Sequence, residues 1–217
     1  MRALDKAAGD RVYRAIKARL IAYEFPPGER IYLDPLAASL GVSTTPVREA
    51  MNRLAERGLV AKAARKGFYA MQLSRARLIG HYELTRLLLT LGLEDLAADA
   101  WNEFRCNAQV GSVALRLNRR VIHDPHVLAR YTGELFSALA AGMANAAVVL
   151  AIDLANDHLY FVRTQECRYL DDVQGQLRKL GELALSGMRE ELVAALHDYH
   201  DERIALLPEF LAPFSQE

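Results

Sequence analysis

The sequence predicts a mainly α-helical chain in two parts, a small unit of helices and one β-hairpin followed by an all-α bundle. Three observations predict it. Apolar residues recur at helical spacing along most of the 217 residues, and only two short runs near the front read as strands. Helix start and stop signals punctuate the chain at short intervals. The charge also divides. Residues 1–77 carry 15 Lys and Arg against 7 Asp and Glu, a net of +8, whereas residues 78–217 carry 12 against 20, a net of −8. A basic front and an acidic back in a neutral chain imply two modules with different partners, residues 1–73 and 74–217.

In the front part, Val12, Ile16 and Leu20 predict a first helix that ends before the turn Phe25-Pro26-Pro27-Gly28. Asp34-Pro35 reads as an N-cap and first-turn proline, with Leu36, Ala37 and Leu40 facing inward and Gly41 as the stop. Ser43 is the expected N-cap of a third helix. Pro46 falls in its first turn, where a missing N–H costs nothing. Val47, Ala50, Met51 and Leu54 form its buried stripe, and Gly58 ends it. Leu59-Val60 and Phe68 to Met71 read as strands joined by a basic turn ending in Lys66-Gly67.

In the back part, Ser74 is expected to cap a helix over 75–100. Residues 109–121 form a weaker helix, and Asp124-Pro125 opens one through Ala140. Asn145 caps 146–164, and Asp171 or Asp172 caps a helix ending at Ser186-Gly187. A last helix runs from Met188 to about Leu207, before Pro208. Six helices with short connections predict a bundle.

Two helices about a glycine turn, the second opening on Ser43, Thr44 and Thr45, make a helix-turn-helix whose second helix enters the DNA major groove. Thr44 and Thr45 would stand at the positive end of that helix, where a phosphate is held by free N–H groups. Arg48 lies one turn on and reaches base edges, arginine to guanine being the commonest specific contact. Arg65, Lys66 and Gly67 form the tip of a wing that follows the backbone. Glu49 is expected to pair with Arg53 at i+4, and Arg53 and Arg57 read as solvated face residues. From Val42 to Gly67 there are six Lys or Arg against two Glu, a concentrated polyanion footprint.

With those residues in hand, the segment FPPGERIYLDPLAASLGVSTTPVREAMNRLAERGLVAKAARKGFYAMQLS resembles the winged-helix domain of the GntR superfamily of bacterial transcription regulators. The PPG turn, LGVS-x-TPVREA, RL-x-x-x-GLV and the K-G-F-Y wing match in order. The resemblance implies DNA contacts at Ser43, Thr44, Thr45, Arg48, Arg65, Lys66 and Gly67. Thr44 departs from the pattern, because relatives commonly hold an arginine there. The back part resembles the effector domain of the FadR-like branch, the FCD domain, through Arg86-x-x-Leu89, Glu134 to Leu139 followed by Asn145, and Leu185-Ser186-Gly187.

That resemblance implies a homodimer reading a short pseudo-palindromic operator and a small-molecule effector such as an organic acid, with repression the commoner mode. Many such domains hold a metal through one Asp and three His. Here those positions fall on Gly133, Ser137, Arg178 and Tyr199, so no metal and no cofactor are expected. His197 and His200, at i and i+3, could share a metal only with further ligands, for which His158 or His123-Asp124-Pro125-His126 are candidates; nothing in the sequence requires this, and they read as hydrogen-bonded or solvated histidines. Candidate ligand residues are Arg86, Asn145, Tyr160 and Arg163. Arg86 and Arg163 each require an anion if buried, supplied by a ligand or by Glu134 or an Asp. No Gly-rich phosphate loop, G-x-S-x-G or Cys–His pair supports the alternative, a helical enzyme with a nucleic-acid tether. A sequence-neutral DNA-packaging protein fits the acidic second module poorly. Cys106 and Cys167 form no ligand pair, and the N-terminus lacks the apolar core of a signal peptide. A cytoplasmic protein with no membrane segment is expected.

Overall fold

The computed structural model describes residues 2–63, 66–119 and 121–212, with the backbone alone for residues 2–7. The chain separates into two compact units, Met1–Leu73 and Ser74–Glu217.

The first unit runs α1 (Arg2–Ile21), β1 (Arg30–Ile31), α2 (Leu33–Leu40), α3 (Thr44–Glu56), β2 (Val60–Ala63) and β3 (Gly67–Ala70). Val12, Ile16 and Leu20 of α1 meet Val47, Ala50, Met51 and Leu54 of α3 in one core, closed by Ile31, Val60 and Phe68 of the sheet. The sheet is antiparallel with order β1-β3-β2, so the expected hairpin is one strand short. Arg30 and Ile31 pair with Tyr69 and Phe68. Two residues are too few to alternate visibly in a sequence. The strand exists because the Pro-Pro-Gly turn docks on β3: Gly28 N–H donates to the Ala70 carbonyl (3.1 Å), and Ala70 N–H to that of Glu29 (2.8 Å).

Two expected caps differ. The helix α2 begins two residues earlier than expected, with Tyr32 at the N-cap position, so Asp34 lies inside the first turn beside Pro35. Ser43 has the extended backbone of an N-cap, but its hydroxyl makes no capping bond. Gly41 closes α2 in the left-handed conformation (φ +64°), which glycine adopts without a Cβ penalty.

The second unit is helical throughout: α4 (Arg75–Glu94), α5 (Ala98–Arg105), α6 (Ala108–Arg119), α7 (Pro125–Gly142), α8 (Ala146–Gln165), a 3-10 turn (Glu166–Arg168), α9 (Val173–Ser186), α10 (Arg189–Ala205) and α11 (Leu207–Leu211). Its core gathers Leu89 and Leu93 of α4, Phe104 of α5, Leu117 of α6, Leu135, Phe136 and Leu139 of α7, Ile152 of α8, Leu177 of α9 and Leu196 of α10. Ser74, Asp124, Asn145 and Asp172 each accept a backbone N–H at the start of their helix. Eight helices among the described residues replace the expected six. The helix expected over 75–100 stops at Glu94, because Arg189 of α10 donates to the Leu96 carbonyl (2.9 Å) and stacks over Trp101 (4.6 Å). A distant side chain thus satisfies a helix-end carbonyl that a continuous helix would have used. Pro208 ends α10 as expected and then sits in the first turn of α11.

Ala144, between α7 and α8, has a φ of +53°. That conformation costs a residue with a Cβ roughly 1–2 kcal/mol. Ala144→Gly is therefore expected to stabilise the protein by about 0.5–1 kcal/mol after the added flexibility of the unfolded chain is counted. Urea unfolding measures it, and a destabilised variant would remove the strain account.

Candidate functional site

In the first unit the candidate surface is the front of α3 and the neighbouring sheet edge. Packing of Val47, Ala50, Met51 and Leu54 fixes which face of α3 turns outward. Ser43, Thr45 and Arg48 are exposed, and Thr44 is half-buried. Thr44 and Thr45 lie three and four residues before Arg48, so all three share one face. The first turn contains no acidic residue, and Ser43 does not occupy its free N–H groups. Arg48 makes no hydrogen bond or ion pair among the described residues. This helix end is positive, lined with hydroxyls and unfilled, which suits a phosphate oxygen.

Arg53 behaves differently from both Arg48 and its expected role. It pairs with Asp10 of α1 (3.1 Å) and stacks over Tyr13 (4.2 Å) rather than bonding Glu49. It therefore fastens α3 to α1. Lys62 on β2 donates to Asn52 of α3 (2.8 Å), tying the wing to the same helix. Lys66 is exposed, and its carbonyl accepts the Tyr69 hydroxyl (3.3 Å). Arg65 lies outside the described residues. Gly67 has φ +96°, and a Cβ there would stand 3.6 Å from Arg30 Nε. The sheet thus brings Arg30 beside the wing, with its guanidinium over the exposed Tyr32 ring (5.2 Å). Sequence reasoning missed Arg30 because only the β1–β3 pairing places it there.

In the second unit the four candidate ligand residues do not converge. Arg86 forms an ion pair with Asp201 of α10, while Glu134 pairs instead with Arg116 (2.6 Å) and Arg130 (3.7 Å). Asn145 is exposed and accepts the N–H groups of Ala147 and Val148. Tyr160 lies 15 residues further along α8, roughly 22 Å away at 1.5 Å per residue. Its hydroxyl is 3.4 Å from His126 Nδ1. Arg163 alone of the four is enclosed, at 1% exposure.

Arg163 belongs to a buried polar set that the sequence did not reveal as a set. One terminal nitrogen donates to Asn156 Oδ1 (2.8 Å), and the guanidinium lies over the Phe136 ring (5.2 Å). Its Nε and its other terminal nitrogen are buried and reach no partner. His200 stacks on the same Phe136 ring (5.4 Å), and Tyr199 meets it edge-on (5.2 Å). The Leu196 carbonyl accepts the His200 Nδ1–H (2.6 Å), which leaves Nε2 as an acceptor. That Nε2 and the Tyr199 hydroxyl are also buried without partners. Arg203, by contrast, is satisfied by Glu166 (3.1 Å), Gln176 (2.7 Å), Glu202 (3.0 Å) and the Tyr199 carbonyl (3.2 Å). Burial, helped by the charges of Arg163, Arg203 and Arg86, pushes the His200 pKa down to about 3. Tyr199 also lines a groove of 420 Å³ between α9 and α10, with Asp198, Asp201 and Glu202 at its rim.

Around Gly133 and Ser137, Ser137 donates to Asp153 (2.6 Å) and Asn156 Nδ2 donates to both Ser137 Oγ and the Gly133 carbonyl (3.0 Å each). Among the described residues no three His, Cys, Asp or Glu side chains gather around a common point. Nor is any described helix long and apolar enough to cross a membrane.

Comparison with known proteins places these features. Residues 8–70 match the family model for bacterial regulatory proteins of the gntR family. The Nta operon transcriptional regulator of Aminobacter aminovorans is 48% identical over 68 residues, 31% of this chain and 32% of that protein. An HTH-type transcriptional regulator in the TAR-I ttuE-ttuC' intergenic region of Agrobacterium vitis is 38% identical over 104 residues, 44% of this chain and 58% of that one. The matches thus span a third to less than two thirds of these curated relatives. Two solved structures share the fold along nearly the whole chain. A GntR transcriptional regulator of Rhodococcus sp. RHA1 has TM-score 0.75 at 18% identity, covering 95% of this chain and 98% of its own. E. coli McbR/YncC has TM-score 0.66 at 17% identity, with the same coverage.

The buried imidazole sets a pH dependence. In the fold His200 stays neutral down to about pH 3, while the unfolded chain protonates it near 6.5. Between those values the unfolded state binds the extra proton, so stability falls as pH falls. Urea unfolding from pH 7.5 to 5 is expected to show this loss, and His200→Phe to make it shallower. An unchanged slope in the variant would show that His200 titrates normally in the fold.

Proposed function

We propose that this protein, whose N-terminal unit is a GntR-family winged helix, is a ligand-responsive transcription regulator of the FadR-like, FCD-type branch. It acts in the cytoplasm as a repressor and binds a short pseudo-palindromic operator as a homodimer. The observation that carries the reading is the front of α3: exposed Thr45 and Arg48 at a helix end whose N–H groups Ser43 leaves open. Ser43, Thr44 and Thr45 hold phosphate, Arg48 reads a base edge, and Arg65, Lys66 and Gly67 follow the backbone from the wing. Relatives named as transcriptional regulators support this over a helical enzyme.

The helical unit is the sensor in this reading. Arg163 is the best supported of the four ligand candidates, because it is enclosed, two of its buried nitrogens lack an acceptor and no carboxylate pairs with it, whereas Arg86, with one such nitrogen, pairs with Asp201. A small carboxylate would accept from Arg163 and from the Tyr199 hydroxyl, and a hydroxyl on the same ligand would donate to His200 Nε2. Arg86 and Asn145 already have structural partners. Such a ligand changes DNA affinity only if it prefers one arrangement of the winged helices over another.

Two experiments test the two halves. Arg48→Ala is expected to cost about 1–3 kcal/mol of specific operator binding while circular dichroism stays unchanged. Gel shifts at fixed salt measure it, and wild-type affinity in the variant would sink the DNA model. Small organic acids screened by thermal shift should include one that raises the melting temperature of the wild type and leaves Arg163→Met unaffected. Equal stabilisation of both proteins would remove Arg163 from the sensor.

A further inference from the structure

Arg30 stands beside the wing with its charge uncommitted. In the register of the sheet it faces Tyr69, so the two share the outer face, while Ile31 and Phe68 are buried on the inner one. The strand β1 runs antiparallel to β3 and therefore toward the turn that joins β2 to β3. Tyr32, one residue past the last pair, comes level with Gly67. The Arg30 side chain extends the same way: its Nε and one terminal nitrogen lie 3.6 and 3.7 Å from the point where a Cβ on Gly67 would stand. Glycine at that position adopts the left-handed backbone and leaves the guanidinium uncovered.

The guanidinium is held in place without being neutralised. It lies over the ring of Tyr32 (5.2 Å), which is 62% exposed. Arg30 is itself exposed, and no carboxylate pairs with it among the described residues, the adjacent Glu29 included. Two other arginines of this unit are bound to carboxylates, Arg19 to Glu24 (2.9 Å) and Arg53 to Asp10 (3.1 Å). Stacking on a ring, unlike an ion pair, orients an arginine and leaves its N–H donors free for an outside acceptor.

We infer that Arg30 is a further backbone contact of the DNA interface: its guanidinium, braced on Tyr32, takes a phosphate next to those followed by the wing. The inference rests on the DNA-binding reading above and adds a residue to its surface. Arg30 lies back from the turn of the hairpin, so it meets the sugar-phosphate rim of a groove before any base edge. A contact of this kind positions the protein and carries no sequence information. Each phosphate it neutralises releases counterions, which steepens the fall of log K with log salt by about 0.9.

Fluorescence anisotropy of the full chain over a salt series tests the assignment. Two labelled duplexes are used, one of random sequence and one selected by the wild type from a random pool. Arg30→Ala is expected to make the salt slope shallower by about 0.9 on both duplexes. The ratio of the two affinities and the helicity by circular dichroism should stay unchanged. Arg30→Lys, which keeps the charge, should retain the wild-type slope. An unchanged slope in Arg30→Ala would overturn the inference. So would an equally shallow slope in Arg30→Lys, because the loss would then follow from the shape of the wing and not from the charge. A changed affinity ratio would make Arg30 a reader of bases and sink the phosphate assignment. A wild type that binds neither duplex would refute the DNA-binding reading itself. A wild type that prefers its selected duplex, with a normal slope in Arg30→Ala, would remove Arg30 alone.

Discussion

Glu166 lies at the end of α8 with no exposed surface, and two other helices reach its two carboxylate oxygens. Arg203 of α10 reaches one oxygen, and the Tyr82 hydroxyl of α4 donates to the other at 3.3 Å. Gln176 of α9 joins through Arg203. An isolated buried carboxylate would be intolerable, so the chain must bring these partners to it. Removing one member of such a pair typically costs about 3–5 kcal/mol, because the other charge stays behind. The arrangement also restricts what surrounds it. With Glu166 committed to Arg203, Arg163 one turn earlier on α8 has only the neutral Asn156 amide. The positive charge left over in this dry region follows from the way the helices are joined.

The two units spend their cations differently. In the winged helix Arg53 is drawn inward by Asp10 and Tyr13, and Lys62 by Asn52, so the frame holding α3 is itself basic. Arg48 is left outside that frame. In the helical unit Arg163 and Arg203 are hidden from water, and the groove along α10 carries Asp198, Asp201 and Glu202.

What the sequence made legible was local. Ser74, Asp124, Asn145 and Asp172 act as caps because capping depends on residues a few positions apart. The inward stripe of α3 follows from the helical period alone. What stayed hidden depended on distant chain segments. The strand β1 exists only through pairing with β3, and the stop at Glu94 depends on an arginine of α10. Asp201 as the partner of Arg86 needed the packing of α10 on α4. Arg163 could be singled out as an arginine requiring an anion, but nothing local showed that Tyr199 and His200 share its Phe136 platform. Ser43 is the instructive failure. Its position and backbone are those of a cap, yet its side chain makes no capping bond.

That unused oxygen gives the first turn of α3 an unfinished character. A helix end with open donors is prone to fray, and whatever anion sits there completes the turn as a capping side chain would. If that anion belongs to DNA, the nucleic acid becomes part of the secondary structure of the protein that reads it. Affinity and the order of the reading helix are then one quantity, and a serine that capped its own helix would make the protein stiffer but less responsive.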